Sequence, residues 1–216
     1  MFEVEARGRL LCSIDEMSDK LKSLGADFIE KRKRLSLIYF KVHFGETSGD
    51  NPDKVTDLRI RVNNGKSEIV LKYGKPGPFD NRKEVSIPIR TKNFADAVML
   101  LKILGWDKGV ITVTNSYKFI FKSIEFVLVD AGLKDECYFE AERLSETLED
   151  IQTERDYITK VCSELTLTIF KESDYYQLID KINSLPGRKF NFNNEDFGTI
   201  KDRFLEYFES KDCDVQ

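Results

Sequence analysis

Apolar and charged residues alternate with a period of two at the start of this chain, and the pattern returns through its first two thirds. In residues 2–11, Phe2, Val4, Ala6 and Leu10 fall on one side and Glu3, Glu5, Arg7 and Arg9 on the other. Such spacing predicts a strand with one apolar and one charged face. A chain made of these segments must cover each apolar face with helices or a second sheet. The same alternation recurs at Leu58-Arg59-Ile60-Arg61-Val62, and Asn63-Asn64-Gly65-Lys66 supplies hairpin-turn chemistry directly after it. Further strands are predicted over 35–44, 68–73, 82–89 (frayed by Pro88), 110–121, 124–130 and 137–144. The loop signals lie at 45–56 and 74–79.

Helical spacing interrupts this text in three places. Ser13 or Asp15 caps a helix carrying Met17, Leu21 and Leu24, which Gly25 ends. Phe94, Ala97, Val98, Leu101 and Leu104 predict a second helix over 93–104. After Ser145 two more helices follow, over 146–163 and 173–184, before Pro186-Gly187 breaks the chain. The tail carries Phe197, Ile200, Phe204 and Phe208 as a short amphipathic helix that packs against the domain, with a dimer contact as the alternative. About eight strands joined by local hairpins imply antiparallel pairing in a barrel or sandwich. The division expected is 1–185 for the main domain and 186–216 for a helical tail.

Composition narrows the function. Thirty-eight acids against 34 bases give a net charge of −4, which argues against a general nucleic-acid binder. Lys102 and Asp107 interrupt the most apolar stretch, 94–111, so no membrane span is expected, and the first residues have no signal-peptide character. Cys12, Cys137, Cys162 and Cys213 form no C-x-x-C, which predicts a reduced, cytoplasmic setting. With His43 the sole histidine, any metal would be held by oxygen. Gly65-Lys66-Ser67 lacks the partner glycine of a phosphate loop and reads as a turn. Lys31-Arg32-Lys33-Arg34 follows a predicted helix end, where the dipole favours cations.

The charged strand faces carry the chemistry. Glu3 and Glu5 share one strand face with Arg7 and Arg9; Arg59 and Arg61 share another, followed by Lys72, the Arg82/Glu84 pair and a second Glu-x-Glu at Glu140 and Glu142. Two Glu-x-Glu pairs can share a hard divalent cation such as Mg²⁺ or Mn²⁺. Arginines match phosphate oxygens with forked, charge-assisted hydrogen bonds. Acids for metal and bases for phosphate are the chemistry of a polyphosphate ester site.

In this order the motifs resemble the CYTH, or triphosphate tunnel metalloenzyme, superfamily of class IV adenylyl cyclases, thiamine triphosphatases and inorganic triphosphatases. Glu3-Val4-Glu5-Ala6-Arg7 resembles the opening E-x-E-x-K, Arg59-Ile60-Arg61 the R-x-R strand, and Val70-Leu71-Lys72 the lysine strand. Arg82-Lys83-Glu84 resembles R-x-E, Asp130 with Gly132 the aspartate-and-glycine segment, and Glu140-Ala141-Glu142 the closing E-x-E. Ser173-Asp174-Tyr175-Tyr176 is similar to the motif of the final helix, so the likeness covers roughly residues 2–182.

The resemblance implies an α+β fold, an eight-stranded antiparallel β-barrel forming a triphosphate tunnel with flanking helices. It also implies Mg²⁺ or Mn²⁺ on Glu3, Glu5, Glu140 and Glu142, and catalytic roles for Glu5, Arg7 and Glu142. Arg7, Arg59, Arg61, Lys72, Arg82 and Lys118 would bind substrate, supported by Glu84, Asp130, Thr114 and Ser116. The implied activity is hydrolysis of inorganic tripolyphosphate or an organic triphosphate, with cyclisation of ATP or binding without turnover as alternatives. The implied partner is a triphosphate-containing small molecule, with neither nucleic acid nor membrane, and the protein a monomer or homodimer. Two departures stand out. Arg7 replaces the family's lysine and keeps its proton, so it cannot act as a general base. Thr114 and Ser116 fall where the family has K-x-R, which lowers the local positive charge.

Overall fold

In the computed structural model, residues 2–39, 56–73, 77–80, 82–134 and 136–209 are described. His43, Cys213, residues 40–44 of the predicted strand over 35–44, residues 45–55 of the predicted loop over 45–56, and residues 74–76 lie outside them. The strands are β1 (Phe2–Arg9), β2 (Asp27–Tyr39), β3 (Thr56–Asn63), β4 (Lys66–Tyr73), β5 (Phe79–Asp80), β6 (Lys83–Ile89), β7 (Lys108–Phe121), β8 (Ile124–Asp130), β9 (Cys137–Ser145), β10 (Thr168–Ile169) and β11 (Lys189–Asn191). The helices are α1 (Ile14–Ser23), α2 (Phe94–Ile103), α3 (Ile151–Glu164), α4 (Glu172–Asn183) and α5 (Phe197–Arg203).

The expected closed barrel is corrected. The strands follow an open path, β10-β1-β9-β8-β7-β2-β3-β4-β6, with β5 joined to β1 and β11 to β7. No pairing among the described residues returns β6 to β10, so the eight-stranded tunnel is not formed. Alternation had fixed the two faces of each strand, but ring closure depends on which edges meet, and face patterning carries no information on that. Among the described residues eleven strands replace the expected eight, the extra ones being the two- and three-residue segments β5, β10 and β11.

The chain divides into two compact units. One comprises residues 1–32, 75–83 and 114–182, the other residues 33–74, 84–113 and 183–216, so β2 and β7 contribute residues to each. In the first unit, the apolar faces of β1, β7, β8 and β9 pack on α1 and α3 around Val4, Phe119, Phe126, Leu128, Phe139 and Ile158. The three phenylalanines are fully buried, and each contributes roughly 1.5–3 kcal/mol relative to exposure. Ser13, not Asp15, caps α1: its hydroxyl accepts from Glu16 N, while Glu16 Oε2 accepts from Ser13 N at 2.9 Å.

In the second unit, Leu35, Leu37, Tyr39, Leu58, Ile60 and Val62 meet Phe94, Val98 and Leu101 of α2. The tail packs here: Ile200 is buried, and Phe197, Phe204 and Phe208 lie against this core, although α5 ends at Arg203 and Phe204 and Phe208 follow it instead of extending the predicted helix. The β3–β4 hairpin turns at Asn64 and Gly65, both with positive φ, as the sequence requires of a two-residue loop. Pro88 lies inside β6 and does not end it; β6 is the terminal strand of the path, where a missing N–H is tolerated.

A second correction concerns Lys31-Arg32-Lys33-Arg34. α1 ends at Ser23, and all four basic residues lie within β2. They are held by strand-face contacts: Lys31 lies over Tyr117 and Arg32 pairs with Glu30, while Lys33 pairs with Glu206 at 2.9 Å.

Candidate functional site

The register of β1 and β9 decides which charges meet. Glu5 lies opposite Glu142, and Arg7 opposite Glu140. Directly paired residues of antiparallel strands point to the same side, so these four share one face, with Val4, Ala6 and Ala141 on the buried face behind them. β8 extends the row, placing Glu125 opposite Glu142. Three carboxylates in line across three strands repel one another, and cations must offset them.

Arg7 is the principal offset on β1. Its Nη2 donates to Glu5 Oε2 at 2.7 Å, Nε lies 2.7 Å from Glu5 Oε1, and Nε also donates to Glu140 Oε1 at 3.3 Å. Nη1 donates to the Gly77 carbonyl at 3.0 Å, and the guanidinium stands 5.5 Å from the centre of the Tyr175 ring on α4. Glu5 and Arg7 are 4% and 9% exposed, so this is a buried, forked ion pair. On the far side, Lys118 Nζ meets Glu125 Oε2 at 2.5 Å. Ser116 is buried and Thr114 half-buried on the same face of β7 as Lys118. Asp130 accepts the Gly132 N–H at 2.7 Å, which ties down the turn after β8. Arg82 is 5% exposed in this unit, and Glu3 lies opposite Leu144.

Gly77 and Tyr138 were not read from the sequence, and Tyr175 only as part of a family motif. Tyr138 lies opposite Arg9, and burial of its hydroxyl raises its pKa, with Glu140 adding to the shift and Arg7 opposing it. Only the similarity of 173–176 to a family motif pointed towards α4; no spacing signal marked the other two.

The second unit has its own cluster. Arg59 forms a two-pronged pair with Asp57. Arg61 Nε donates to Glu68 Oε1 at 2.6 Å and its Nη2 to Glu84 Oε1 at 3.2 Å, while Lys72 Nζ lies 3.0 Å from Glu84 Oε2. Ser86 donates to Glu68. β3 and β4 bring these together because Arg59, Arg61, Glu68 and Lys72 lie on the face opposite buried Leu58, Ile60 and Val62.

Burial alone would raise the Glu84 pKa, but Lys72, Arg61 and Arg59 outweigh it and hold the carboxyl below its ordinary value of 4.5. A depressed carboxyl contributes stability above its unfolded pKa and loses it as pH falls through the folded one. Wild type should therefore exceed Glu84→Gln in urea midpoint at neutral pH, and the gap should close as pH falls through and below the ordinary carboxylate range. A gap independent of pH would show that the Glu84 charge is not what stabilises the cluster.

Among the described residues, no three His, Cys, Asp or Glu side chains are grouped so as to hold a metal ion, and no helix is long and apolar enough to cross a membrane. The carboxylates on β1 and β9 are still hard oxygen donors of the type Mg²⁺ and Mn²⁺ take. A metal ion there would compete with Arg7 for Glu5.

The antiparallel α+β fold is shared with solved proteins. The PH1819 protein from Pyrococcus horikoshii OT3 is 23% identical, covers 83% of this chain and 98% of its own, and superposes with a TM-score of 0.64. A protein from Vibrio parahaemolyticus proposed to be an adenylate cyclase is 15% identical over 83% of this chain and 98% of its own, with a TM-score of 0.62. HpAC1 from Hippeastrum, for which a dominant triphosphatase activity is recorded, is 15% identical over 85% and 98%, with a TM-score of 0.51. No family model matches the chain, and no curated protein matches it. At these identities the likeness shows the fold.

Proposed function

We propose that this protein is a phosphate-handling enzyme that hydrolyses a triphosphate, inorganic or organic, with Mg²⁺ or Mn²⁺. The observation that carries the reading is the β1–β9 register, which sets Glu5 opposite Glu142 and Arg7 opposite Glu140, with Arg7 bonded to both Glu5 and Glu140. Glu3, Glu5, Glu140 and Glu142 would hold the ion. When bound, it would polarise a phosphoryl oxygen and lower the pKa of a water.

The chain's own residues supply the remaining work. Arg7 keeps its charge at any ordinary pH, orients Glu5 and offers no base. Arg59, Arg61, Lys72, Arg82 and Lys118 are the cations proposed to take phosphate oxygens, where most catalysis of phosphoryl transfer originates. Glu84 fixes Arg61 and Lys72 through separate oxygens. The recorded activity of HpAC1 favours a triphosphate substrate. A second reading, binding without turnover, is favoured by the forked closure of Arg7 on Glu5 and by the hydroxyls at Thr114 and Ser116.

The test is ³¹P NMR of the full chain with tripolyphosphate and with ATP, in Mg²⁺ and in Mn²⁺. Orthophosphate that appears only with metal is the expected result. Pyrophosphate with a cyclic monophosphate would replace hydrolysis by cyclisation. Unchanged spectra with a raised melting temperature would leave the binder, since a ligand that prefers the folded state stabilises it by mass action. Unchanged spectra without that protection would remove both readings.

A further inference from the structure

The second unit contains a cavity that the charged strands do not use. It measures about 470 Å³ and lies between α2 and α5, within the usual range for small-molecule sites. Its floor is aromatic. Phe94 stacks on Phe197 with centroids 5.2 Å apart, and Phe208 meets both edge-on, at 5.1 and 5.8 Å. Met99, 54% exposed, completes an apolar wall that this unit leaves open.

The polar lining is unequally engaged. Glu195 takes Arg203 at 2.9 Å and the Asn191 N–H at 3.3 Å, and Asp196 caps α5 by accepting the Thr199 N–H at 2.8 Å. Lys92, Lys102 and Lys201 also line the cavity, and among the described residues none of them makes an ion pair or side-chain hydrogen bond. The acids are thus occupied by the protein while the cations are not, and an anionic group would complete the set. Thr91, the remaining polar side chain, already donates to the Gly65 carbonyl and accepts from Ser67. Few hydrogen-bonding groups remain to read the edge of a nucleobase.

We propose that this cavity binds a small aromatic acid, its ring seated on Phe94, Phe197 and Met99 and its anionic group met by Lys92, Lys102 and Lys201. Offset and edge-on contacts suit a flat ring against such a floor. The three lysines select for charge more than they add affinity, because exposed ion pairs are individually weak.

The probe is 8-anilinonaphthalene-1-sulfonate, titrated by fluorescence into the folded full chain, with neutral N-phenyl-1-naphthylamine as its uncharged counterpart. One saturable site for the sulfonate is expected. The triple variant K92Q/K102Q/K201Q should bind the sulfonate roughly five- to tenfold more weakly and the neutral probe within about twofold of wild type. Ala95→Phe, at an exposed helix position lining the cavity, should weaken both probes. Circular dichroism melting of each variant separates loss of the site from loss of fold. The proposal is overturned if no saturable site is found, if the lysine variant binds both probes as wild type does, or if AMP displaces the sulfonate more effectively than 1-naphthoate.

Discussion

Glu5→Gln and Glu142→Gln should each lower turnover of a triphosphate by about a hundredfold or more while the β1–β9 pairing survives. Metal assistance supplies several kcal/mol of transition-state stabilisation, and each ~1.4 kcal/mol is a decade in rate. Glutamine keeps the side-chain volume, so the effect isolates the charge. In Glu5→Gln, Arg7 retains Glu140 and the Gly77 carbonyl, which limits the cost of breaking a buried pair. Glu142 is half-buried and so provides the milder structural perturbation. Mn²⁺ binding, read by the loss of free-ion EPR signal, should fall in both variants. Glu164→Gln, which removes only the exposed pair with Lys122, should leave turnover and Mn²⁺ binding unchanged. Wild-type rates in both glutamate variants, with normal melting, would remove the metal-holding role from this face.

The charged faces were legible because alternation assigns every strand residue to a side. Glu3, Glu5, Arg7, Arg59, Arg61, Glu140 and Glu142 were found this way. Who pairs with whom was not legible. Arg7 also donates to the Gly77 carbonyl, which arrives beside β1 because β5 pairs with β1 across more than seventy residues. Glu125 was also overlooked, since a lone glutamate on a mostly apolar strand gains meaning only when β8 sets it opposite Glu142. Tyr138 is a similar case, made notable by its burial in the fold, which its own flanking residues do not announce.

The fold divides along the same line. Hairpins, with their local turn chemistry at Asn64-Gly65, were readable, and so were the helices with periodic apolar faces. The first half of β2 was not. Asp27 to Arg34 carries almost no apolar alternation and is largely solvent-facing, so its strand state follows from the place of β2 in the sheet, between β7 and β3. Barrel closure failed for a related reason. Each strand announces its two faces, but nothing in its sequence states whether its edge meets another strand, a two-residue segment such as β10, or none.

Gly109→Ala should lower the melting temperature by about 6–12 °C, corresponding to roughly 3 kcal/mol or more. In a strand, alanine would ordinarily be the better residue by about 0.5–1 kcal/mol, because glycine loses more conformational freedom on folding. Here a Cβ would stand 1.9 Å from the Ile38 carbonyl oxygen of β2 and 2.7 Å from the Phe190 ring of β11. The oxygen belongs to backbone in a ladder, so it cannot yield without breaking strand pairing, and the ring is buried at 4% exposure. Gly105→Ala is the contrasting case. Its φ of +84° strains any side chain, yet nothing lies within 4 Å of the added carbon. That substitution should cost only about 1–2 kcal/mol. If the two variants melt together, backbone conformation alone sets both costs. A drop at Gly109 well beyond that at Gly105 would show that glycine is needed there because β2 and β11 close in on β7.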